Sequence, residues 1–384
     1  ISSALEIVQE DSIDEARLLS QWGFYRALRL GEYDNAQNNF ERTLTIARRE
    51  GDQALEMWTL ARAGRIAFFY LQPQQCIALD GRAAELNREL DDPNLESFSR
   101  MCVVGANLSV GDMEGAQVNS SAMLTMAERA RHPAGLVAAL WINSLVFLVK
   151  GKWDAAREVI DRGLGLNPSH GYLWEAKLLL EYSVGDYSGG EECMETLERL
   201  MGSRPPGPVE SHVAVALTGL FSGEAAGDVE RFKLGARSYL SSTTSHPYSR
   251  TEANMALSLI AVAQDDRSAA KTQYSEMEPW RHTVQDHSNT SIDRLLGLLA
   301  RTIGEVDTSA SHFEDALAFC RTAEYRPQLA WSLHDYSDML LERNEPGDSE
   351  KAVSMLDEAL QISTDLGMRP LMERVLSKRD ILKA

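Results

Sequence analysis

Gly151-Lys152-Trp153-Asp154-Ala155-Ala156 joins an apolar run, 135–150, to an amphipathic run, 155–166. The stretch predicts a helix, a tight turn and a second helix folded back on the first. Gly151 can take the positive φ that stops a helix. Trp153 is expected to wedge between the two helices, and Ala155 and Ala156 are small enough to let them approach. The same punctuation returns at 31–36, 111–116 and 185–190, and more loosely at 265–270 and 304–309. The spacings are close to 40 residues or twice that, except for 34 between Gly151 and Gly185. A fixed period in this range means stacked helical hairpins, each burying its apolar face on its neighbours. Turns are therefore expected near 31, 72, 111, 151, 185, 225, 265, 304 and 346.

Outward from this stretch, apolar residues keep helical spacing on both sides of each turn, as in Ala36, Phe40, Leu44 and Ala47. The segment Gly202-Ser203-Arg204-Pro205-Pro206-Gly207-Pro208 is the densest group of helix breakers. It divides the expected array into an N-terminal half, 1–201, and a C-terminal half, 209–384, and reads first as a long loop, second as a hinge. Residues 280–290 are polar and irregular, and no alternation is long enough to propose a sheet. The last helix, from Arg369, carries five basic residues against two acidic ones and is expected to cap the array as a solvated helix.

Among 384 residues, 57 are acidic and 38 basic, a net charge of −19. This argues against direct nucleic-acid binding, which needs a basic surface, and against an anionic membrane. Cys76, Cys102, Cys193 and Cys320 form no C-x-x-C pair, so buried thiols in a reducing cytoplasm are expected. The most apolar stretch, 135–149, is shorter than the ~20 residues that a membrane span requires. The chain begins with Ile1, which suggests a piece of a longer polypeptide.

The pattern of turn glycine, aromatic two on, alanine five on and large residue nine on resembles the second helix of the tetratricopeptide repeat. Gly31, Tyr33, Ala36 and Phe40 match it fully, and Gly151, Trp153, Ala156 and Ile160 match with an aliphatic last member. The longer period resembles the MalT-like repeat domain of large bacterial signal-transducing ATPases, including LuxR-type and cyclase- or kinase-bearing regulators. Residues 312–317, 325–330 and 366–374 look like the end of that region. The resemblance implies an all-α right-handed superhelix, or solenoid, of about nine tetratricopeptide-like hairpins. It also implies a sensing arm without the motor, since no G-x-x-x-x-G-K-[ST] loop is present.

No catalytic constellation stands out: there is no G-x-S-x-G and no H-E-x-x-H. His282 and His287, five apart, would diverge by roughly 140° on a helix, so neither a metal nor a cofactor is expected. In tetratricopeptide-like arrays the first helix of each hairpin lines the concave groove. Alignment to the turns places Trp58, Arg65, Tyr172, Glu175, Arg294, Trp331, His334 and Asp338 there. Trp331, His334 and Asp338 share one helix face, and an aromatic beside two polar groups suits a small-ligand or peptide pocket. The alternative for each is core packing and intrahelical pairing. The expectation is a non-enzymatic arm that binds a protein, peptide or small-molecule effector and regulates an attached ATPase-type module. The rival is an interaction or oligomerisation scaffold with no small-molecule effector.

Overall fold

The computed structural model describes residues 2–202, 229–241 and 246–383. They form α1 (Ser2–Leu5), α2 (Ile13–Tyr25, widening to a π-turn over Arg26–Leu30), α3 (Tyr33–Glu50), α4 (Gln53–Phe69), α5 (Pro73–Leu90), α6 (Pro93–Val110), α7 (Met113–Ala130), α8 (Pro133–Val149), α9 (Trp153–Leu166), α10 (Gly171–Val184) and α11 (Tyr187–Gly202). After residue 228 come α12 (Val229–Leu240), α13 (Pro247–Ala263), α14 (Arg267–Met277), α15 (Ile292–Ile303), α16 (Val306–Thr322), α17 (Arg326–Arg343), α18 (Asp348–Leu366) and α19 (Arg369–Lys383). From α2 onward, consecutive helices pair as hairpins, giving an all-α, tetratricopeptide-like stack.

The punctuation is local chemistry. Positive φ occurs at Gly31, Leu71, Gly111, Gly151, Gly185, Asp265, Gly304 and both Asn344 and Gly347, eight of the nine expected turns. The ninth, near 225, lies outside the described residues, as do residues 203–208 of the expected hinge. Asp52 and Asp266 cap α4 and α14 by accepting from backbone N–H groups of the first turn. Pro73, Pro93, Pro133 and Pro247 open helices where the missing N–H does no harm.

The chain divides into two compact units. The first comprises residues 1–107, 114–142 and 240–250, the second residues 108–113, 143–239 and 251–384. In the first unit the signature residues Ala36 and Phe40 are buried together with Ala27, Ala63 and Ile66. A neighbouring cluster joins Phe68, Cys76 and Cys102 to Tyr248. All four cysteines are buried. Among the described residues, no helix is long and apolar enough to cross a membrane.

In the second unit, Leu178, Tyr182, Cys193 and Leu197 share a core with Phe232, Met255, Ile260 and Leu295. Three early turns also pack on the last hairpins. A Cβ on Gly111 would meet Phe319 and Ala323 at 3.1 Å; one on Gly151 would meet Leu366 at 2.9 Å; one on Gly185 would meet Arg369 at 2.9 Å. Trp153, at the start of α9, is half-buried and donates Nε1–H to the Leu366 carbonyl at 2.6 Å. It thus serves the free end of α18 as well as its own hairpin. Tyr325 donates in the same way to Leu108, at 2.5 Å.

Two expectations are corrected here. Residues 280–290 are not merely irregular: Val284–Gln285 pair antiparallel with Thr290–Ser291, and Asp286, Ser288 and Asn289 are buried. Nor is α19 simply solvated. Arg374 lies over Trp331, Lys378 pairs with Asp338, and Arg379 pairs with Asp357 at 2.7 Å. Its positive charge answers acids of its own unit.

Candidate functional site

Helix α4 presents Trp58, Arg62, Arg65 and Phe69 at i, i+4, i+7 and i+11, one stripe of a helix. In the first unit this stripe meets Phe98 of α6. Trp58 and Phe98 lie 5.4 Å apart, centroid to centroid. The Arg62 guanidinium sits 5.3 Å from the Trp58 ring, and that of Arg65 sits 5.1 Å from Phe98 and 5.8 Å from Phe69. Phe69 in turn contacts His246 at 4.5 Å. The result is a ladder of alternating cations and rings, in which each guanidinium gains from the ring face.

Arg62 donates to Ser20 Oγ at 2.9 Å. Among the described residues neither Arg62 nor Arg65 enters an ion pair, and Arg65 Nε is buried without a hydrogen-bond partner. Elsewhere arginines meet carboxylates, as in Arg48–Glu56, Arg100–Glu96 and Arg157–Glu181. Burial lowers the Arg62 pKa from its ordinary value, without abolishing its charge. His246 is pushed down to about 4 by burial and then by Arg29, so it is neutral at pH 7.

Beside the ladder opens a pocket of about 440 Å³. Its walls are Trp58, Phe98 and Met101, with Met123 and Ala127 of α7 and Ala134 and Ala138 of α8; Asn94, Ser97 and His132 supply polar groups. Aromatic and methionine walls with a few polar groups are the usual make-up of a recognition pocket. Trp58 and Arg65, two of the expected groove residues, are therefore brought together here.

The other six lie in the second unit. Trp331 is clamped between Arg294 and Arg374, whose guanidinium carbons stand 5.3 and 5.2 Å from its ring. His334 is buried, with Nδ1 2.9 Å from Asp335 Oδ1. Arg294, 2% exposed, donates Nε to Asp335 Oδ2 at 2.7 Å. Burial alone would raise the Asp335 carboxyl, but Arg294 and His334 outweigh it and hold it well below the usual range. Asp338 is held by Lys378. Tyr172 meets the His287 ring at 5.5 Å, and Glu175 is buried. The cavity beside Trp331, Arg294, Ser288 and Asn289 measures about 40 Å³, room for two or three waters. The 284–291 segment fills the face that the helix alignment left open.

Arg62, Phe98, Met101, Asp335 and Arg374 contribute to these two arrangements and were not among the expected site residues. Arg62 had a signal, four residues after Trp58; Phe98 and Arg374 had none, because their partners come from other hairpins. A group with metal-ligand chemistry, His282, Asp293 and Asp315, lies elsewhere in the second unit.

No protein-family model matches the sequence, and no curated protein matches it. Solved structures do. The human IFIT1 dimer with m7Gppp-AAAA is 14% identical, with 97% of this chain and 82% of that one covered, at a TM-score of 0.50. The APC/C hetero-tetramer Cut9–Hcn1 is 11% identical, with 98% and 92% covered and a TM-score of 0.35. The TPR domain of P58(IPK) is 12% identical, with 96% and 99% covered and a TM-score of 0.23. Identities this low concern the fold alone, and the likeness rests on the first. What this chain shares with it is a tetratricopeptide-like stack of antiparallel helical hairpins.

Proposed function

We propose that this chain is a non-catalytic interaction arm whose first unit binds a partner segment carrying an apolar anchor next to an acidic side chain. The observation that carries the reading is the pair Arg62 and Arg65, stacked on aromatic rings without a carboxylate partner, beside an apolar pocket of about 440 Å³. The anchor enters between Trp58, Phe98, Met101 and Met123. The carboxylate meets the guanidinium edges, which stacking leaves available for charge-assisted, bidentate hydrogen bonds. The expected groove patch at Trp331, His334 and Asp338 is a second-choice site, since its charged groups already hold one another.

The finer reading, that binding regulates an attached ATPase-type signalling or transcription-regulating module in the cytoplasm, is supported by the MalT-like resemblance of the repeats. Binding would act by its differential affinity for two states of that module. A scaffold that only joins partners uses the same face and lacks the coupling.

The test is titration of the untagged chain with capped peptides bearing Phe or Leu flanked by Asp and Glu, against peptides with Lys in place of the acids. Acidic peptides should bind and lysine peptides should not. Trp58→Ala should weaken binding by about 1–3 kcal/mol. Arg65→Gln should weaken it by about 1.5–3 kcal/mol. Equal binding of both peptide sets, or binding unchanged in both variants, would overturn the reading.

A further inference from the structure

We infer that His282, Asp293, His312 and Asp315 of the second unit bind a first-row divalent cation, zinc being the ion that two imidazoles and two carboxylates suit. The centre of the cluster is Asp293, in the first turn of α15 and 0% exposed. Its Oδ2 accepts the His282 backbone N–H at 2.8 Å, while its Oδ1 is buried without a hydrogen-bond partner. His312 of α16, 4% exposed, faces it. Nδ1 of His312 also lacks a hydrogen-bond partner and stands 3.9 Å from Asp293 Oδ1, beyond hydrogen-bond reach. Two unmet polar atoms buried face to face are costly, and a cation between them meets both.

The surroundings are those of a ligand set. Nε2 of His312 is fixed 2.8 Å from the Tyr274 hydroxyl. A metal-binding histidine is commonly held in this way through its other nitrogen, which aims the free one at the ion. Asp315 lies three residues after His312 and thus on the same helix face. His282 takes φ 62°, an uncommon conformation for a residue with a side chain, and brings Nδ1 to 3.5 Å from Asp293 Oδ2. Ligand atoms of His282, Asp293 and Asp315 all lie within 4.8 Å of one another. Zinc bonds of ~2.0–2.1 Å place tetrahedral donors about 3.3 Å apart, so the 3.5 and 3.9 Å gaps close with small side-chain rotations. Arg281 holds one oxygen of Asp315 at 3.0 Å and acts as an outer partner. His282 and Asp315 are solvent-accessible, which gives the ion an entry path. Mixed nitrogen and oxygen donors favour zinc over magnesium and calcium, which prefer oxygen alone.

The proposal is tested with the untagged full chain, stripped with chelator and titrated with Zn²⁺, Mg²⁺ and Ca²⁺ by calorimetry. One zinc per chain is expected, with Mg²⁺ and Ca²⁺ failing to compete. Asp293→Asn and His312→Gln should each weaken zinc binding by at least about tenfold. Because these two are buried, His282→Ala serves as the surface variant; it should keep the melting temperature of the stripped chain and lose the rise that zinc gives the wild type. No stoichiometric zinc binding, equal binding of Mg²⁺, or affinity unchanged in both His282→Ala and Asp315→Asn would overturn it.

Discussion

Arg294 is the residue on which the second unit's interior turns. The residue is 2% exposed, and its guanidinium is bonded to Asp335 and laid over Trp331. A buried pair of this kind adds little over a well-packed apolar pair, but removing one member strands the other. Asp335→Asn is therefore expected to destabilise the chain by about 3–5 kcal/mol, measured by urea unfolding, whereas Asp338→Asn should cost less because Lys378 lies 31% exposed. The signature aromatics show a different economy. Tyr33 and Trp153 occupy the same repeat position, yet Tyr33 donates to Gln72 at the next hairpin's turn and Trp153 donates to a carbonyl 213 residues away.

At the scale of the element, the turn glycines divide into two kinds. Gly51 has φ +71° and nothing within 4 Å of an added Cβ; Gly151 has φ +70° and Leu366 at 2.9 Å. Gly51→Ala should cost only the left-handed conformation, about 1–2 kcal/mol. Gly151→Ala should cost more, by about another 1–3 kcal/mol, because α18 must shift to admit the methyl group. Thermal unfolding of the two variants side by side checks this, and equal losses would mean that the Gly151 turn and α18 are not in contact.

At the scale of the whole molecule, acid should weaken both units through histidines that burial keeps neutral, His246 in the first and His287 and His312 in the second. His246 of the first unit has its folded pKa depressed to about 4 against an ordinary 6.5. The unfolded chain therefore binds this proton first, and the stability contributed by neutral His246 is lost as pH falls from about 6.5 toward 4. Asp335 of the second unit is also depressed, so its contribution is full above about pH 4 and is lost only below. Hydrogen exchange followed from pH 7 to 4 should show α4, α5 and the Tyr248 region losing protection, and His246→Phe should remove that loss while leaving the losses around His287 and His312 in the second unit.

The sequence by itself determined the hairpins. A glycine that can take positive φ, an aspartate cap and an apolar stripe at helical spacing act within a few residues, so their meaning survives without the fold. Tyr33, Ala36 and Phe40 were legible for that reason, as were the turns at 111, 151 and 185. Trp58 and Arg65 were named from their place on α4, but Phe98, which both contact, was not, because it belongs to another hairpin. The interior of the second unit was decided by tertiary structure. Asn289 reaches Leu148, Arg369 reaches Gly185, and Tyr325 reaches Leu108, across 141, 184 and 217 residues. No period links such positions. They meet because stacked repeats bring distant turns together, and because a polar segment that reads as irregular from its sequence is packed inside.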